Sequence, residues 1–373
     1  MVATFPSISD PNWARLLGVP VEVSYTKEHF DWDKTHADGA RGHIIGGLID
    51  QVQSPPQYEY FFDFKPEGFV AHLASIAWSV TTSVYWLNQL EKEFFASDKS
   101  RDFKAFILNT DMIAHTKGEQ NIMEFLNLLE ERIKRIRERH LKERGQPLEV
   151  ILISDHGNAF LSPKPILPAK SLERMGWDVR ETLKEKTDVA FVFPEILSFA
   201  AMYCLEESRP KLASDMARVE GVQSAFYLAA PNTVEFHSLG GVTRAAIDPG
   251  ARTVRYEIIR GQDPFSQYPL FAKKRVLRFE EYFEATLDTA YPNAFVRAWE
   301  AFHINSEQKA SVLVNPVLGY VFANRTLHLL TKFFGLKAVH GSLHRTETLG
   351  IVVSTSREFG PLQPDGFLKR VKF

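Results

Sequence analysis

Aspartate and histidine residues occur at three places in the sequence with spacings that suit metal binding. Asp111 and His115, in the string ILNTDMIAHTKG, are four residues apart, so both side chains fall on one face of a helical turn and can reach one cation. Asp155 is followed by His156 and Gly157, which places a carboxylate beside an imidazole and allows a sharp turn. Such oxygen and nitrogen ligands suit zinc, or manganese where oxygens dominate. A structural interpretation stays open, since an aspartate often caps a helix.

The third place is His340-Gly341, which stands just before a strand-like run of apolar residues. His344 follows four residues later. It is either a second candidate ligand or a loop histidine that only forms hydrogen bonds.

A hydroxyl group that could act as a nucleophile stands near Met1. Ser9 or Asp10 followed by Pro11 predicts the start of a helix. A hydroxyl placed there faces free backbone amides and the positive end of the helix dipole, which suits attack on a phosphate. The structural alternative is that Ser9 is only the N-cap of that helix.

Two predicted strands position the first two motifs. Residues 104–110 (KAFILNT) lead into Asp111, and residues 149–154 (EVILIS) lead into Asp155. Between them, apolar residues at helical spacing predict a helix, and this order is typical of a βαβ unit in a parallel sheet covered by helices. Ligand sites in such sheets lie beyond the carboxyl ends of the strands, where these motifs are expected.

The rest of the chain predicts a core and an insertion. Residues 188–194 predict another strand, followed by a helix through about residue 218. Residues 223–260 alternate between apolar and polar side chains and contain turn signals, which predicts a small antiparallel excursion. We therefore expect an α/β core formed by residues 1–220 and 305–373, with an inserted α+β region at 221–304.

Composition narrows the classes of partner. The formal net charge of −2 over 373 residues gives no general electrostatic reason to expect binding to nucleic acid or to an anionic membrane. The one cysteine, Cys204, excludes an internal disulfide, and its neighbours predict a buried thiol on an apolar helix face. No apolar run reaches the ~18 residues of a membrane span. The first residues lack a signal peptide, so the expected location is the cytoplasm, or outside it if a leader has been lost.

The four motifs, in this order, resemble those of the alkaline phosphatase superfamily, and most of all its nucleotide pyrophosphatase/phosphodiesterase branch. That branch carries a hydroxyl nucleophile in a Thr/Ser-x-Pro-Asn context, then Asp-x-x-x-His, Asp-His-Gly and a late His-Gly. The matching segments here are Ser9-Asp10-Pro11-Asn12, Asp111 to His115, Asp155-His156-Gly157 and His340-Gly341. The resemblance runs from about residue 4 to about residue 355 and is specific only around these motifs.

The resemblance implies a metal-dependent hydrolase with an α/β fold, in which helices sandwich a largely parallel central sheet. It implies that Asp111, His115 and His340 hold one divalent cation. Asp155 and His156 would hold the other, which also binds the nucleophile oxygen. The expected cations are Zn2+, with Mn2+ as the alternative. The expected substrate is a small phosphate ester or nucleotide-like molecule, cleaved at a phosphodiester or phosphoanhydride bond.

Ser9 is the preferred nucleophile, because Pro11, Asn12 and the following helix fit the spacing of the family. Thr4 is the alternative, since Thr4-Phe5-Pro6-Ser7 also fits the short motif but lies farther from the helix. By the same resemblance, Asn12 is expected to contact a phosphoryl oxygen.

The sequence departs from the family at one point. The family's first core strand ends in a further metal-binding aspartate upstream of the nucleophile, whereas here the nucleophile motif begins within ten residues of Met1. Three explanations are open: a shortened chain that lacks this strand, replacement of the aspartate by Asp31 or Asp33, or a degraded second site in a metal- and phosphate-binding pseudoenzyme. A phosphomonoesterase or related ester hydrolase is the alternative among enzymes, while Trp13 stands where a sulfatase carries arginine. The sequence does not indicate the oligomeric state.

Overall fold

A computed structural model describes most of the chain. The described residues are 1–20, 24–25, 29–33, 36–38, 57–65, 79–97, 102–107, 109–192, 197–304, 307–323, 335–365, 367 and 371.

The strands of the described residues are two to nine residues long and are spread along the chain. In order they are β1 (His29–Asp31), β2 (His36–Asp38), β3 (Ile151–Ile153), β4 (Lys164–Ile166), β5 (Asp178–Val179), β6 (Asp188–Val192), β7 (Ala200–Tyr203), β8 (Val222–Ala230), β9 (Thr233–Ser238), β10 (Gly241–Asp248), β11 (Thr253–Gly261), β12 (Leu277–Arg278), β13 (Val312–Pro316), β14 (Tyr320–Phe322) and β15 (Val352–Ser354).

The helices flank these strands. In order they are α1 (Ser9–Leu17), α2 (Ser79–Ala96), α3 (Asn109–Lys117), α4 (Glu119–Arg144), α5 (Pro168–Arg174), α6 (Arg209–Met216), α7 (Tyr268–Lys273), α8 (Phe279–Thr286), α9 (Ala294–Ala301) and α10 (Arg345–Thr348), with two 3-10 turns at Gln57–Phe61 and Glu206–Ser208. Within the described ranges, no helix combines the length and the apolar character that crossing a bilayer requires.

Nine strands form one sheet in the order β12-β11-β10-β9-β8-β13-β7-β6-β5. Neighbouring strands in it are antiparallel except β5 and β6, which are parallel. The remaining strands form two-stranded sheets, antiparallel in β1–β2 and β15–β3 and parallel in β14–β4. The α/β class is therefore confirmed. The nine-stranded sheet is mostly antiparallel, so it agrees only loosely with the largely parallel sheet that the sequence predicts.

Short connections explain the antiparallel pairing of β8 to β11. Only Leu239 and Gly240 join β9 to β10, and a turn closed by a hydrogen bond from the Ala251 amide to Asp248 Oδ1 (2.9 Å) joins β10 to β11. A parallel pair would need a crossover of a dozen or more residues. The antiparallel prediction for residues 223–260 is confirmed. These strands continue the sheet that contains β6 and β7 through the β8–β13 pair, and the predicted domain boundaries stay a prediction.

The two predicted strands before the metal-binding motifs differ in outcome. Residues 149–154 contain β3, as predicted, although its partner is the distant β15 in an antiparallel pair. The prediction of a strand through residue 110 is wrong at its end, because α3 already begins at Asn109. Asn, Thr and Asp favour helix starts, which explains why the chain turns there. Upstream, Ala105 forms an isolated parallel bridge with Phe64, and residue 108 lies outside the described residues.

Cys204 follows strand β7, so the predicted apolar helix face around it is wrong. All four residues of β7 are buried, and a short fully apolar run does not distinguish a central strand from a buried helix. The predicted burial of the thiol is confirmed, and that burial raises the pKa of Cys204 to about 12.

Aromatic side chains pack helices α7 to α9 onto the nine-stranded sheet. Phe295 of α9 is fully buried and stacks on Tyr256 of β11, with ring centroids 4.1 Å apart, and on Tyr282 of α8 at 5.3 Å. Buried aromatic residues contribute large apolar areas and defined ring geometry, so this packing fixes the position of α9. Arg297, two residues further along α9, donates to the carbonyl oxygen of Thr4 in the loop that precedes α1.

Candidate metal centre

Helix α3 carries the first two candidate ligands. Asp111 lies in its first turn and His115 in its last turn, and the one-face arrangement expected from their spacing is present. His115 Nε2 is 3.3 Å from Asp111 Oδ2, while His115 Nδ1 lies 2.8 Å from the carbonyl oxygen of Ala338. The carbonyl holds a proton on Nδ1, so in the neutral imidazole Nε2 carries the lone pair, and in the protonated imidazolium Nε2–H faces the carboxylate.

His340 comes from the opposite end of the chain to the same carboxylate. Its Nε2 is 3.5 Å from Asp111 Oδ1, and its Nδ1 is 3.0 Å from the carbonyl oxygen of Ser7. The ring is buried, and a bridge between Val339 and Ala159 fixes the backbone just before it. As in His115, a backbone carbonyl selects the tautomer with a free Nε2.

Asp155 and His156 follow strand β3, as the sequence predicts. His156 Nε2 lies 3.5 Å from Asp155 Oδ2, and His156 Nδ1 lies 3.0 Å from the carbonyl oxygen of Gly157. The His156 ring stacks on His340 with centroids 4.0 Å apart and planes inclined by 19°. The five predicted ligands therefore lie together. One ligand atom from each of Asp111, His156 and His340 falls within 4.8 Å of the other two.

Gly157 allows this close approach. A Cβ at this position would lie 2.6 Å from the carbonyl oxygen of Thr346 and 2.7 Å from that of Leu349. The Gly157 amide donates to the carbonyl oxygen of Glu347 at 3.1 Å. Only glycine fits between these backbone atoms, so the Asp155-His156 turn packs directly on helix α10.

Burial and neighbouring charges set the protonation of Asp111 and His340. Burial acts to raise the pKa of Asp111, but the positive charges of His115 and His340 in their protonated form outweigh it and hold that pKa well below its usual range. Burial, and then the nearby His156, lowers the pKa of His340. Two buried carboxylate oxygens, Asp111 Oδ1 and Asp155 Oδ2, make no hydrogen bond within the described part of the chain. Uncompensated buried oxygens are costly, and a cation would satisfy them.

The separations between the donor atoms match the edges of a tetrahedral zinc site. Four donors at zinc bond lengths of ~2.0–2.1 Å lie about 3.3–3.4 Å apart. The carboxylate oxygens of Asp111 lie 3.3 Å from His115 Nε2 and 3.5 Å from His340 Nε2. His156 Nε2 lies 3.5 Å from Asp155 Oδ2 and 3.4 Å from Ser9 Oγ. Ordinary hydrogen bonds are shorter, at 2.7–3.2 Å for N–H···O. These contacts join Asp111 to His115 and His340, and His156 to Asp155 and Ser9, while the grouping within 4.8 Å joins His156 to Asp111 and His340. The assignment of ligands to two cations stays a prediction.

The Ser9 hydroxyl, and not that of Thr4, contacts the histidine cluster. Ser9 is the first residue of α1, and Ile8 occupies the N-cap position, so Ser9 is not the cap of this helix. Thr4 is buried, and its Oγ1 donates to the carbonyl oxygen of Pro6 at 3.3 Å. The preferred candidate nucleophile therefore lies beside His156, whereas the alternative faces its own loop.

Asn12 has backbone partners on both sides of its amide. Its Nδ2 donates to the carbonyl oxygen of Ile8 at 2.7 Å, and its Oδ1 accepts from the Thr4 amide at 2.7 Å. The side chain is fully buried and holds the loop before α1 in place. Contact with a phosphoryl oxygen stays a prediction, and the observed partners describe a structural role.

Three other candidates lie away from the cluster. Asp31 is the last residue of β1, and its Oδ1 accepts from the Asp33 amide at 3.0 Å. Neither aspartate belongs to the group of potential ligands formed by Asp111, His156 and His340. His344 precedes α10 and accepts from the Thr346 amide through Nδ1 at 3.3 Å. His344 therefore matches the loop-histidine alternative, and replacement of the missing aspartate by Asp31 or Asp33 has no geometric support.

The sequence analysis missed two groups beside the site. Tyr58 donates to Asp10 Oδ1 at 3.2 Å, and burial, then the charge of Asp10, raises its pKa well above the ordinary value. Arg297 is 2% exposed inside α9 and donates to the loop that precedes Ser9. Nothing in the sequence marks Tyr58, but an arginine within the apolar run AFVRAW is a recognisable signal.

Comparison with protein-family models and with curated proteins found no match to this chain. The case for a function therefore rests on the motifs and on the geometry of the donor atoms.

Proposed function

We propose that the chain is a metal-dependent hydrolase that cleaves phosphodiester or phosphoanhydride bonds, with Ser9 as nucleophile and two divalent cations. The observation that carries this proposal is the set of donor separations of 3.3–3.5 Å, which suits tetrahedral coordination. Mixed imidazole and carboxylate donors suit zinc, with manganese as the alternative.

The proposed ligands form two sets, one for each cation. Asp111, His115 and His340 would hold one cation, and Asp155 and His156 would hold the other beside Ser9. Bound cations of this kind lower the pKa of a serine hydroxyl and stabilise charge on the leaving oxygen. The backbone carbonyls behind each histidine fix the tautomer that leaves Nε2 free for a metal.

Ser9 would attack the phosphorus atom of a bound phosphate ester. Its hydroxyl proton passes to solvent, the bond from phosphorus to the leaving oxygen breaks, and that oxygen takes a proton from solvent. Water then cleaves the bond between phosphorus and Ser9 Oγ and restores the hydroxyl. The position of Ser9 at the N-terminus of the nine-residue helix α1 favours an anionic group at this point.

A second candidate function is metal and phosphate binding without turnover. One observation favours it: within the described residues, the second set contains Asp155 and His156 beside Ser9, one ligand side chain fewer than the first set. Catalytic zinc sites commonly have three protein ligands. The preference for a diester over a monoester depends on the walls of the substrate pocket, and a phosphomonoesterase remains the alternative within the enzyme class.

Hydrolysis of bis-p-nitrophenyl phosphate and of p-nitrophenyl phosphate tests both candidates. The parent chain is assayed with zinc, with manganese and after chelation, and its bound metal is counted. Zinc-dependent turnover with a faster rate on the diester supports the proposal. Bound zinc without turnover favours the binding protein, and a chain that binds no zinc contradicts both.

Three variants test the residue assignments. Asp155→Ala and Ser9→Ala should each abolish turnover while the fold is retained. Thr4→Val is the matched control, because it removes a buried hydroxyl near Ser9 that faces away from the cluster. Activity lost in Thr4→Val but kept in Ser9→Ala would transfer the nucleophile to Thr4.

A further inference from the structure

Arg297 is a buried cation that makes no hydrogen bond to a carboxylate among the described residues. Its guanidinium donates there to neutral groups, while the negative charge of Glu300 acts on it without a hydrogen bond. Nη1 donates to the carbonyl oxygens of Pro292 (3.2 Å) and Leu343 (3.1 Å). Burial lowers the pKa of Arg297 to about 9. Burying a charge that makes no hydrogen bond to a carboxylate is costly.

The other end of the guanidinium joins two segments of the candidate site. Nη2 donates to the carbonyl oxygen of Thr4, to Ser7 Oγ and to Thr348 Oγ1, each at 2.9 Å. Thr4 and Ser7 belong to the loop that leads into Ser9, and Thr348 belongs to helix α10. The planar fork of arginine suits several fixed acceptors at once, which a lysine ammonium would not reproduce.

Ser7 connects Arg297 to a predicted metal ligand. The Ser7 carbonyl oxygen lies 3.0 Å from His340 Nδ1, and the Ser7 amide donates to the carbonyl oxygen of Gly341 at 3.0 Å. Ser7 Oγ, which accepts from Arg297, also lies 3.0 Å from the carbonyl oxygen of Ser342. Arg297 therefore binds the side chain of the same residue, Ser7, whose backbone carbonyl orients the His340 imidazole.

Helix α9 holds the nucleophile helix at a second point. Glu300, three residues after Arg297, accepts from Arg15 of α1 at 2.8 Å. The loop before Ser9 and the helix after it are therefore both bound to one helix, which is itself anchored by the stacking of Phe295.

We propose that Arg297 is the positioning residue of the metal centre, which sets the orientation of His340 and the place of Ser9 through Ser7. This inference rests on the proposed function, because it assigns Arg297 a role at that same site. Groups that orient metal-binding histidines typically change metal affinity by 10–100-fold when they are removed. Arg297 does so from a position at which it contacts neither the substrate nor the cations.

Zinc affinity, measured by competition with a chromogenic chelator, tests the proposal in a double-mutant cycle of Arg297→Lys and Ser7→Ala. Each variant should bind zinc at least 10-fold more weakly than the parent chain. The double variant should lose little more than the weaker-binding single variant, because both changes break one connection. Arg139→Lys, at an arginine on α4 that pairs with Glu143, is the matched control and should bind zinc as the parent does.

The alternative results separate the two inferences. Losses that multiply in the double variant, or parent-like zinc affinity in folded single variants, would overturn the positioning role. If Arg297→Lys does not fold, Ser7→Ala and Thr348→Val each remove one hydroxyl acceptor of Nη2, and parent-like affinity in both overturns it. A parent chain that binds no zinc overturns the proposed function and, with it, this inference.

Discussion

Replacing Gly157 by alanine would place a methyl carbon 2.6 Å from the carbonyl oxygen of Thr346 and 2.7 Å from that of Leu349. Ordinary contact begins at 3.4 Å, so the turn or helix α10 must move by about 0.8 Å. Both obstructing atoms belong to the backbone, and no side-chain rotation can relieve the clash. His156 immediately precedes the substituted residue, so the displacement falls on a predicted ligand.

A misplacement of ~1 Å at a catalytic site can lower the rate about 100-fold, equivalent to about 2.7 kcal/mol of transition-state stabilisation. We expect Gly157→Ala to reduce kcat/KM for the phosphodiester by roughly this factor. Overpacking should also reduce the free energy of unfolding by about 1–3 kcal/mol. Initial rates at saturating zinc give the first quantity, and urea unfolding after chelation gives the second.

Gly250→Ala is the control for this experiment, because the nearest atom to its Cβ would be Asp248 Oδ1 at 3.4 Å, an ordinary contact. It should leave kcat/KM and stability within experimental error of the parent. Parent-like activity and stability in Gly157→Ala would show that the Asp155-His156 turn is not closely packed against helix α10.

Two further predictions concern the elements that support the site. Asn12→Ala should reduce the free energy of unfolding by about 1–3 kcal/mol in a urea titration, since it leaves the Thr4 amide and the Ile8 carbonyl without their partner. An unchanged stability combined with weaker substrate binding would instead favour the predicted contact with a phosphoryl oxygen. Phe295→Ala should cost about 3–5 kcal/mol, because a fully buried ring that stacks on Tyr256 is removed. A loss below about 1 kcal/mol would contradict the anchoring of α9 by this stacking.

The local parts of the site could be predicted from the sequence because they depend on short-range geometry. The four-residue spacing of Asp111 and His115 sets their separation on a helix wherever that helix packs. Asp155 and His156 follow a strand whose apolar pattern is visible in the sequence. The relation of Ser9 to His156 was expected only through the resemblance, since 147 positions separate them.

The sheet topology could not be predicted in the same way. An apolar run indicates a strand but not its partner, so the antiparallel pair of β3 with β15 was not foreseen. Strand β7 was hidden within a predicted helical region, because its four buried residues give neither the alternation of a half-exposed strand nor a helical period. The role of Arg297 depends on acceptors far away in sequence, at Thr4 and Thr348, which no local pattern reveals.

The donor atoms of the metal centre come from four segments that lie far apart in the chain, around Ser9, Asp111, His156 and His340. An unfolded chain does not hold these segments together, so a cation bound there would be bound by the native state alone. Zinc occupancy and folding would then be one linked equilibrium. At a free zinc concentration of 100 times the dissociation constant, the native state would gain about 2.7 kcal/mol, and a chelator would remove it.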